Sequence, residues 1–494
     1  MDLFTALQNF SSSENGALTY ASAGSSTLDL FGMGGALRTA DEQRIKDLVT
    51  KAFEEDPLRA LETLFYLRDI RGGQGEKRVF QIGIKAIVDQ LRPLGTLDTL
   101  FDAIVVVGSW KDILKIFDFD EWKGYVYNKV KFGNDKPDLM YKWLPSIGGS
   151  QNKLAERLAS HLGMTPREYR KKLTAERAKL KLVETQMCAN EWGKVDYEHI
   201  PSRAGFLYRK AFGKHDQERY SAFIAAANRN DGSVNVNTGT LYPYEIVSKY
   251  SNVCRGGWYS NFKIDPQLEA FWKNLPKYGE NDVNALVVAD TSGSMWGRPM
   301  DISTSLAIYF SEHNKGYFRN KYITFAGNPQ FYSFKEGEPL GNKIKFMYEH
   351  EICDNTNLSL VFDLVLKAAV DNHIPESEMP EALYIVSDQE FDEAQGYCSW
   401  RDSQGPKTNF EVIKEKYQRA GYKMPKLIFW NVESRQNNLP ITMNEDGVAL
   451  VSGASPSTFE MAITDTLDPM KFMLQTIDKP RYQDLAKAVL RIFN

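Results

Sequence analysis

Three oxygen-bearing side chains alternate with other residues directly after an apolar run, and this spacing could hold a metal ion. Asp290, Ser292 and Ser294 follow the small and β-branched residues 285–289. Side chains at every second position of a loop can converge on one hard cation. Carboxylate and hydroxyl oxygens suit Mg²⁺ or Ca²⁺ better than Zn²⁺, which prefers nitrogen and sulfur. The spacing therefore predicts the first part of a divalent-metal site.

The elements around these residues indicate where such a site would lie. The continuous apolar run 285–289 is typical of a strand buried on both faces of a parallel sheet. A helix opened by Pro299 follows it. Because ligand sites in open α/β sheets lie beyond the carboxyl ends of such strands, we expect Asp290 at that edge. The plainer alternative is that Asp290 caps a helix beside two serines.

From residue 281 onward, strands and helices alternate, which predicts a mainly parallel sheet. Residues 322–325 and 330–334 are candidates for an antiparallel pair, and the remaining strands are predicted at 383–386, 427–431 and 448–451. Helices are predicted at 358–369, 410–419, 456–463, 469–477 and 481–493.

Before residue 281 the apolar pattern is helical. Residues 41–275 read as helix after helix with short connections, which suggests an α-solenoid, although no clean repeat period is present. Residues 1–40 are short apolar clusters broken by Ser and Gly, which predicts a loosely structured arm that packs on something else. The expected organisation is an arm (1–40), a helical domain (41–275) and an α/β domain (281–494).

Basic residues are concentrated in one part of the helical region. Residues 151–220 hold 15 Lys and Arg against 9 Asp and Glu, whereas the whole chain has a net charge of −4. Such a segment could follow a phosphate backbone. On charge alone, a solvated helix face is the commoner explanation.

A second basic segment, residues 68–78, reads Arg-Asp-Ile-Arg-Gly-Gly-Gln-Gly-Glu-Lys-Arg between two helices. Backbone N–H groups and guanidinium groups there could bind phosphate. An ordinary tight turn between helices explains the same residues equally well. No Gly-Lys-Ser/Thr follows, so we do not predict a nucleotide-hydrolysing loop.

Several classes of protein are disfavoured. No apolar run reaches the roughly 18 residues needed to span a bilayer, and the N-terminus lacks the pattern of a secretory signal. Four scattered cysteines suggest reduced thiols, so we expect a cytoplasmic protein without a membrane partner. A phosphatase would want a second Asp at position 292, and Ser292 as a nucleophile would need a His base in a matching loop. We therefore expect no enzyme.

The pattern Asp290-x-Ser292-x-Ser294 after a buried strand resembles the metal-ion-dependent adhesion site of the von Willebrand factor A fold. That family adds a Thr and an Asp from two further loops, and Thr356 and Asp388 match in order. The resemblance implies a doubly wound, Rossmann-like domain that binds Mg²⁺, or alternatively Ca²⁺ or Mn²⁺. It also implies an open metal position for a partner protein's carboxylate. One departure is that Gln389 follows Asp388, where the family frequently has Gly.

Longer blocks resemble a specific family. These blocks are residues 14–20, 65–73, 187–192, 200–203, 208–212, 387–391 and 429–432. They are similar to an uncharacterised domain-of-unknown-function family of phages, large viruses, plants and fungi. That family is more distantly similar to the TROVE-module Ro autoantigen, in which a ring of HEAT-like helical repeats is closed by a von Willebrand A domain.

The Ro resemblance implies a ribonucleoprotein scaffold whose helical part binds noncoding or misfolded RNA. The candidate RNA-binding residues are Arg170, Lys171, Lys172, Arg177, Lys179, Arg203, Arg209 and Lys210. The alternative is a metal-dependent protein–protein interaction module that binds no RNA. A metal with a purely structural role is also compatible with the sequence.

Overall fold

The computed structural model describes most of the chain. The described residues are 9–12, 18–133, 136, 138–256, 262–277, 284–325, 328–350, 358–389, 409–436, 439–441, 443, 446–456 and 468–492. The predicted ligand Thr356 lies outside them, as does nearly all of the predicted helix 456–463.

The part of the chain before the sheet is helical. Its helices are α1 (Ser26–Gly34), α2 (Glu42–Glu55), α3 (Pro57–Arg68), α4 (Lys77–Leu91), α5 (Leu97–Val107), α6 (Trp110–Ile116), α7 (Phe119–Phe132), α8 (Met140–Trp143), α9 (Asn152–His161), α10 (Pro166–Lys179), α11 (Val183–Cys188), α12 (Ser202–His215), α13 (Gln217–Arg229), α14 (Pro243–Arg255) and α15 (Pro266–Lys273). The helical character predicted for residues 41–275 is confirmed. Over the described ranges, no helix is both long enough and apolar enough to cross a bilayer.

The later part alternates strands with helices. The helices are α16 (Arg298–His313), α17 (Leu340–Glu349), α18 (Leu358–Asp371), α19 (Asn409–Arg419), α20 (Pro469–Ile477) and α21 (Pro480–Leu490). The strands described along the whole chain are β1 (Phe10–Ser12), β2 (Leu18–Tyr20), β3 (Ala285–Asp290), β4 (Lys321–Phe325), β5 (Phe331–Ser333), β6 (Ala382–Ser387), β7 (Lys426–Asn431) and β8 (Val448–Ser452).

Six strands form one mixed sheet in the order β5-β4-β3-β6-β7-β8. All neighbours are parallel except β4 and β5, which are antiparallel, with Tyr322 opposite Tyr332. The predicted strands and the predicted antiparallel pair are confirmed. Residues of β3 and β6 are buried throughout because apolar side chains cover both faces, as the continuous apolar runs indicated.

The sheet is packed directly onto the helical part. Helix α16 contacts β3, β4 and β6, and it also packs along α14. At that joint Asp301, only 4% exposed, accepts hydrogen bonds from Ser251 and from Arg255 Nη2, the latter at 2.6 Å. The last helices, α20 and α21, both contact α3. The two parts of the chain therefore share buried side chains.

The N-terminal arm is more ordered than the sequence suggested. In place of a loose segment, β1 pairs with β2 and α1 is buried along nearly its whole length. Helix α1 packs on β8, where Ser452 Oγ donates to the Phe31 carbonyl at 2.8 Å and accepts from Gly35 N–H at 2.9 Å. A Cβ on Gly35 would lie 2.5 Å from the Ser452 backbone, so only glycine allows this approach.

The glycine-rich segment 68–78 is a tight turn whose charged groups bind other parts of the protein. A Cβ at Gly73 would lie 1.8 Å from the Tyr66 carbonyl oxygen, which explains the glycine. Arg68 is paired with Asp112 at 2.6 Å, and Glu76 accepts from Arg38 and Arg298. The turn therefore serves as a joint, in agreement with the plainer of the two explanations.

Candidate functional site

The first predicted ligands lie at the topological switch point of the sheet, where later strands are added on the opposite side of β3. From β3 the chain passes to β4 on one side, and β6 later adds to the other side of β3. Residues Ala289 and Val386 are opposite each other in parallel register, so Asp290 and Ser387 end neighbouring strands. Asp388 is the next residue. Asp290 and Asp388 therefore flank the switch point, the usual ligand position in an open α/β sheet.

Short hydrogen bonds fix the Asp290 carboxylate. Ser387 Oγ donates to Asp290 Oδ2 at 2.6 Å, and Ser292 N–H donates to Asp290 Oδ1 at 2.9 Å. The hydroxyls of Ser292 and Ser294 lie 3.0 Å apart. The structure thus brings Asp290, Ser292 and Ser294 together, as the alternating spacing predicted.

The two carboxylates of the site influence each other. Burial, and to a lesser extent the charge of Asp388, together raise the pKa of Asp290 from its ordinary value of 3.8 to about 6, against the hydrogen bonds from Ser387 and Ser292. Asp290 and Asp388 are 1% and 3% exposed. Two buried like charges are costly, and a divalent cation between them would remove the repulsion. The donor set therefore fits a hard cation.

The described residues supply only some of the ligands that a complete metal site needs. Among these residues, no three His, Cys, Asp or Glu side chains gather as a metal-binding group. The predicted set contains only two carboxylates, and its other members are hydroxyls. Its fifth member, Thr356, is not among the described residues. The complete five-oxygen site remains a prediction.

Arg435 is a neighbour of this site that the sequence analysis missed. It follows β7, and its Nη2 donates to the Ser294 carbonyl and lies 3.6 Å from Asp388 Oδ2. Arg44 of α2 holds the loop, since its Nη1 donates to the carbonyls of Ser434 and Arg435, each at 2.8 Å. The only available signal was position: the loop follows the carboxyl end of the strand next to β6.

Gln389 occupies the position after Asp388 where the von Willebrand factor A family frequently has glycine. Glycine would adopt this backbone conformation without strain. The φ of Gln389, +64°, lies in the left-handed region, which costs most side chains free energy. Asn431 Nδ2 donates to Gln389 Oε1 at 3.3 Å, and Gln389 N–H donates to Ser387 Oγ at 3.0 Å. These bonds hold the loop that carries Asp388.

The predicted RNA-binding residues fall into two groups on α10 and α12. The guanidinium of Arg177 is already hydrogen-bonded within the protein, since it donates to the carbonyls of Tyr141 and Leu144 at 2.8 Å. Lys172 and Lys179 share Glu176, at 3.9 and 3.0 Å. The remaining residues are Arg170, Lys171 and Lys210, which are exposed, and Arg203 and Arg209, which line a pocket.

The pocket lies between α12 and α14 and has a volume of about 310 Å³. Arg203 and Arg209 were predicted from the sequence, whereas Lys249, the third cation on the pocket wall, was not. Lys249 lies outside the basic segment 151–220, so only the packing of α14 beside the pocket reveals it.

Comparison with known proteins finds a viral relative and a solved structure that align with most of the chain. Over 526 aligned residues it is 28% identical to "Uncharacterized protein L728" of Acanthamoeba polyphaga mimivirus, covering 96% of this chain and 88% of that protein. The crystal structure of the Deinococcus radiodurans Ro (RSR) protein aligns with 94% of this chain and 92% of that chain, at 12% identity. Its TM-score of 0.28 is too low to carry an argument about function.

Two family models match adjoining parts of the chain. The domain of unknown function DUF7788 matches residues 284–479. The domain of unknown function DUF2828 matches residues 13–119 and 142–283, which together make up half of the chain. The expected family of unknown function with viral relatives is confirmed, whereas the von Willebrand factor A assignment stays a prediction. The chain belongs to the DUF2828 family.

Proposed function

We propose that this protein is a non-enzymatic scaffold that binds noncoding or misfolded RNA through its helical part. We further propose that it holds a divalent cation, Mg²⁺ in the first instance, at the carboxyl edge of its sheet. The observation that carries the metal-binding half is the meeting of Asp290 and Asp388 at the switch point. The RNA-binding half is supported by unpaired basic groups on α10 and α12, together with sequence blocks that resemble a family distantly similar to the Ro autoantigen.

Some of the exposed basic side chains on α10 and α12 have no carboxylate partner among the described residues. Arg170, Lys171 and Lys210 form no ion pair with any described residue, whereas Lys172 and Lys179 on α10 share Glu176. Phosphate contacts of exposed cations release counterions, so binding should weaken steeply as salt increases. These three residues are the ones to change, because Arg177 supports the fold.

The RNA-binding test is a gel shift with total small RNA from the native cells at two salt concentrations. The variant Arg170→Glu/Lys171→Glu/Lys210→Glu should lose retention. Lys335→Glu/Lys367→Glu/Lys423→Glu changes the charge equally on exposed residues of the sheet part, and it should retain RNA. Equal retention by both variants would remove the α10–α12 surface from the proposal.

The metal-binding test is calorimetric titration of Mg²⁺ into the full chain. When bound, the ion supplies positive charge and an open position for an anionic oxygen. Asp290→Asn and Asp388→Asn should each abolish saturable binding, because a neutral amide removes one of two charges that attract the ion. Binding of equal affinity in both variants would place the metal elsewhere.

The second candidate function is a metal-dependent protein-interaction module. It is favoured by the small ligand set, since two carboxylates and two hydroxyls leave Mg²⁺ at least one of its six positions even after Thr356 is added. In that case a partner supplies a carboxylate, and recovery of that partner from native cells requires both the metal and Asp290. RNA retention that persists in EDTA while protein partners are lost would separate the two activities.

The non-enzymatic character is itself part of the proposal. In the described geometry the Ser292 hydroxyl pairs with Ser294 and not with an imidazole, so nothing there activates it as a nucleophile. Release of phosphate or nucleotides from RNA by the purified chain, lost in Asp290→Asn, would contradict this.

A further inference from the structure

A pocket in the helical part has the chemistry of a site for an anion attached to a flat apolar group. Its wall is formed by α12, by α14 and by the residue at position 241 before α14. The lining residues are Arg203, Phe206, Leu207, Arg209, Leu241, Tyr244, Glu245, Ser248 and Lys249. Its volume of about 310 Å³ lies at the small end of ligand sites, which begin at about 300 Å³.

Arg209 is a buried cation of this pocket with an unsatisfied hydrogen-bond donor. It is 7% exposed and stacks on the ring of Phe206, with 4.6 Å between the guanidinium carbon and the ring centroid. Its Nη1 donates to the Phe206 carbonyl at 2.8 Å within the same helix. Its Nε is buried and has no hydrogen-bond partner among the described residues, and no described carboxylate forms an ion pair with it. The charge of Asp265 acts on Arg209 without forming an ion pair, so the buried guanidinium is partly compensated and can still accept an anion.

Two further cations line the same pocket, and its one carboxylate is already engaged. Glu245 is paired with Arg203 at 2.8 Å and also accepts from Tyr242 N–H at 3.1 Å, as the cap of α14. Lys249 lies 6.0 Å from the centroid of the Phe206 ring. The pocket therefore keeps a net positive charge, and Arg209 and Lys249 remain available to an anion.

Apolar surface lies beside these cations. Leu207 is 69% exposed, and Tyr244 presents a half-buried ring. Flat aromatic and apolar surfaces next to guanidinium groups are what bind unpaired nucleobases and their phosphates. A carboxylate ligand such as an acidic peptide would use the cations but leave the apolar wall unused.

We propose that this pocket receives one unstacked nucleotide of a bound RNA strand. Its phosphate would lie against Arg209 and Lys249, and its base would lie against Leu207 and Tyr244. This inference rests on the proposed RNA-binding function and deepens it, since it names a site and a ligand unit. The pocket volume of about 310 Å³ is at the small end for a ligand site, which favours a single nucleotide over a stacked run of bases.

The test uses the full chain and a fluorescein-labelled twelve-residue oligouridine, with binding measured by anisotropy. Arg209→Gln and Lys249→Gln should each weaken binding by at least tenfold. Each should also make log K depend less steeply on log salt concentration, by about the amount that one phosphate contact contributes. Lys249 is exposed, so its variant should fold even if the Arg209 variant does not. Lys85→Gln removes an exposed cation from α4 and serves as the matched control.

The outcomes separate the pocket from the wider proposal. If the oligouridine binds and both pocket variants bind it as tightly as the control, the pocket inference is overturned while RNA binding stands. If no RNA binds, the proposed function fails together with this inference. Calorimetry adds a second arm: uridine 5′-monophosphate should bind at least tenfold more tightly than uridine, and only in chains that retain Arg209. Tighter binding of a hexaglutamate peptide than of uridine 5′-monophosphate would assign the pocket to acidic protein segments and overturn the nucleotide.

Discussion

At the scale of single residues, the site at the sheet edge brings together two buried carboxylates, Asp290 and Asp388, and Arg435 lies 3.6 Å from the second. Asp290 is held by two short hydrogen bonds, yet its pKa is raised because burial and Asp388 both oppose its ionisation. Structural carboxylates are usually placed so that their pKa falls. The pKa of Asp29 is raised to a similar value away from any proposed site, so the position of Asp290 at the switch point, and not its pKa alone, marks it as a candidate ligand.

The first prediction concerns Asp290→Asn. Without divalent cations at pH 7.5, the variant should be at least as stable as the wild type, because the buried repulsion is removed. At a Mg²⁺ concentration one hundred times the Kd, the wild type should gain about 2.7 kcal/mol and the variant nothing. Thermal melts with and without Mg²⁺ measure both effects, with Asp371→Asn as an exposed control. An equal Mg²⁺ shift in all three proteins would contradict the assignment.

A second prediction follows from the position of Arg435 beside Asp388. Two unit charges 4 Å apart interact by about 1 kcal/mol in water and about 4 kcal/mol near a protein surface. The guanidinium therefore opposes a second cation at this edge, and Arg435→Gln should tighten Mg²⁺ binding by roughly fivefold or more. Calorimetry or Mn²⁺ electron paramagnetic resonance measures this, with Arg419→Gln as the control. Weaker binding would mean that Arg435 positions the ligands instead.

At the scale of elements, α1 shows how a local helix depends on distant partners. Its N-terminus is held by Glu55 at the end of α2, and Asp29 within it accepts from Ala23 N–H at 2.7 Å. Burial raises the pKa of Asp29 from its ordinary value of 3.8 to about 6, and the charge of Glu55 adds to this effect. The neutral carboxyl therefore suits the folded state better than the carboxylate.

The third prediction is the pH dependence that results. Because the folded pKa is the higher one, Asp29 contributes stability below about pH 4 that is lost as the pH rises through about 6. Asp29→Asn keeps the acceptor for Ala23 and never ionises. It should exceed the wild type by up to about 3 kcal/mol at pH 7.5, whereas the two should converge toward pH 4. Urea unfolding across this range checks the sign; a constant difference would contradict it.

Some of the strands and helices could be predicted from the sequence, and others could not. The strand ends at Asp290 and Ser387 were predictable, because buried parallel strands leave continuous apolar runs that stop abruptly. The order of α1 was not, since its apolar clusters are covered by β8, more than four hundred residues later. Arg435 and Lys249 were missed for the same reason: each reaches its site only through the packing of whole elements.

At the scale of the molecule, one buried carboxylate ties the helical part to the sheet. Glu76, at the start of α4, accepts from Arg38 after α1 and from Arg298 at the start of α16, at 3.0 and 3.1 Å. Arg298 also lies 5.0 Å from the centroid of the Tyr244 ring, which lines the basic pocket. A disturbance of the basic pocket is thus close to this joint.

The last prediction removes this joint while keeping its shape. Glu76→Gln leaves Arg298 and the partly exposed Arg38 without their shared carboxylate, which should cost about 3 kcal/mol, at the low end for a broken buried pair. Because the joint is common to both parts, urea unfolding should change from one transition to two, and the sheet should keep its response to Mg²⁺. Glu336→Gln breaks an exposed pair with Arg319 and should cost less than 1 kcal/mol. A single transition with an unchanged midpoint in Glu76→Gln would mean that the helix contacts of α14 and α16, and not this carboxylate, couple the two parts.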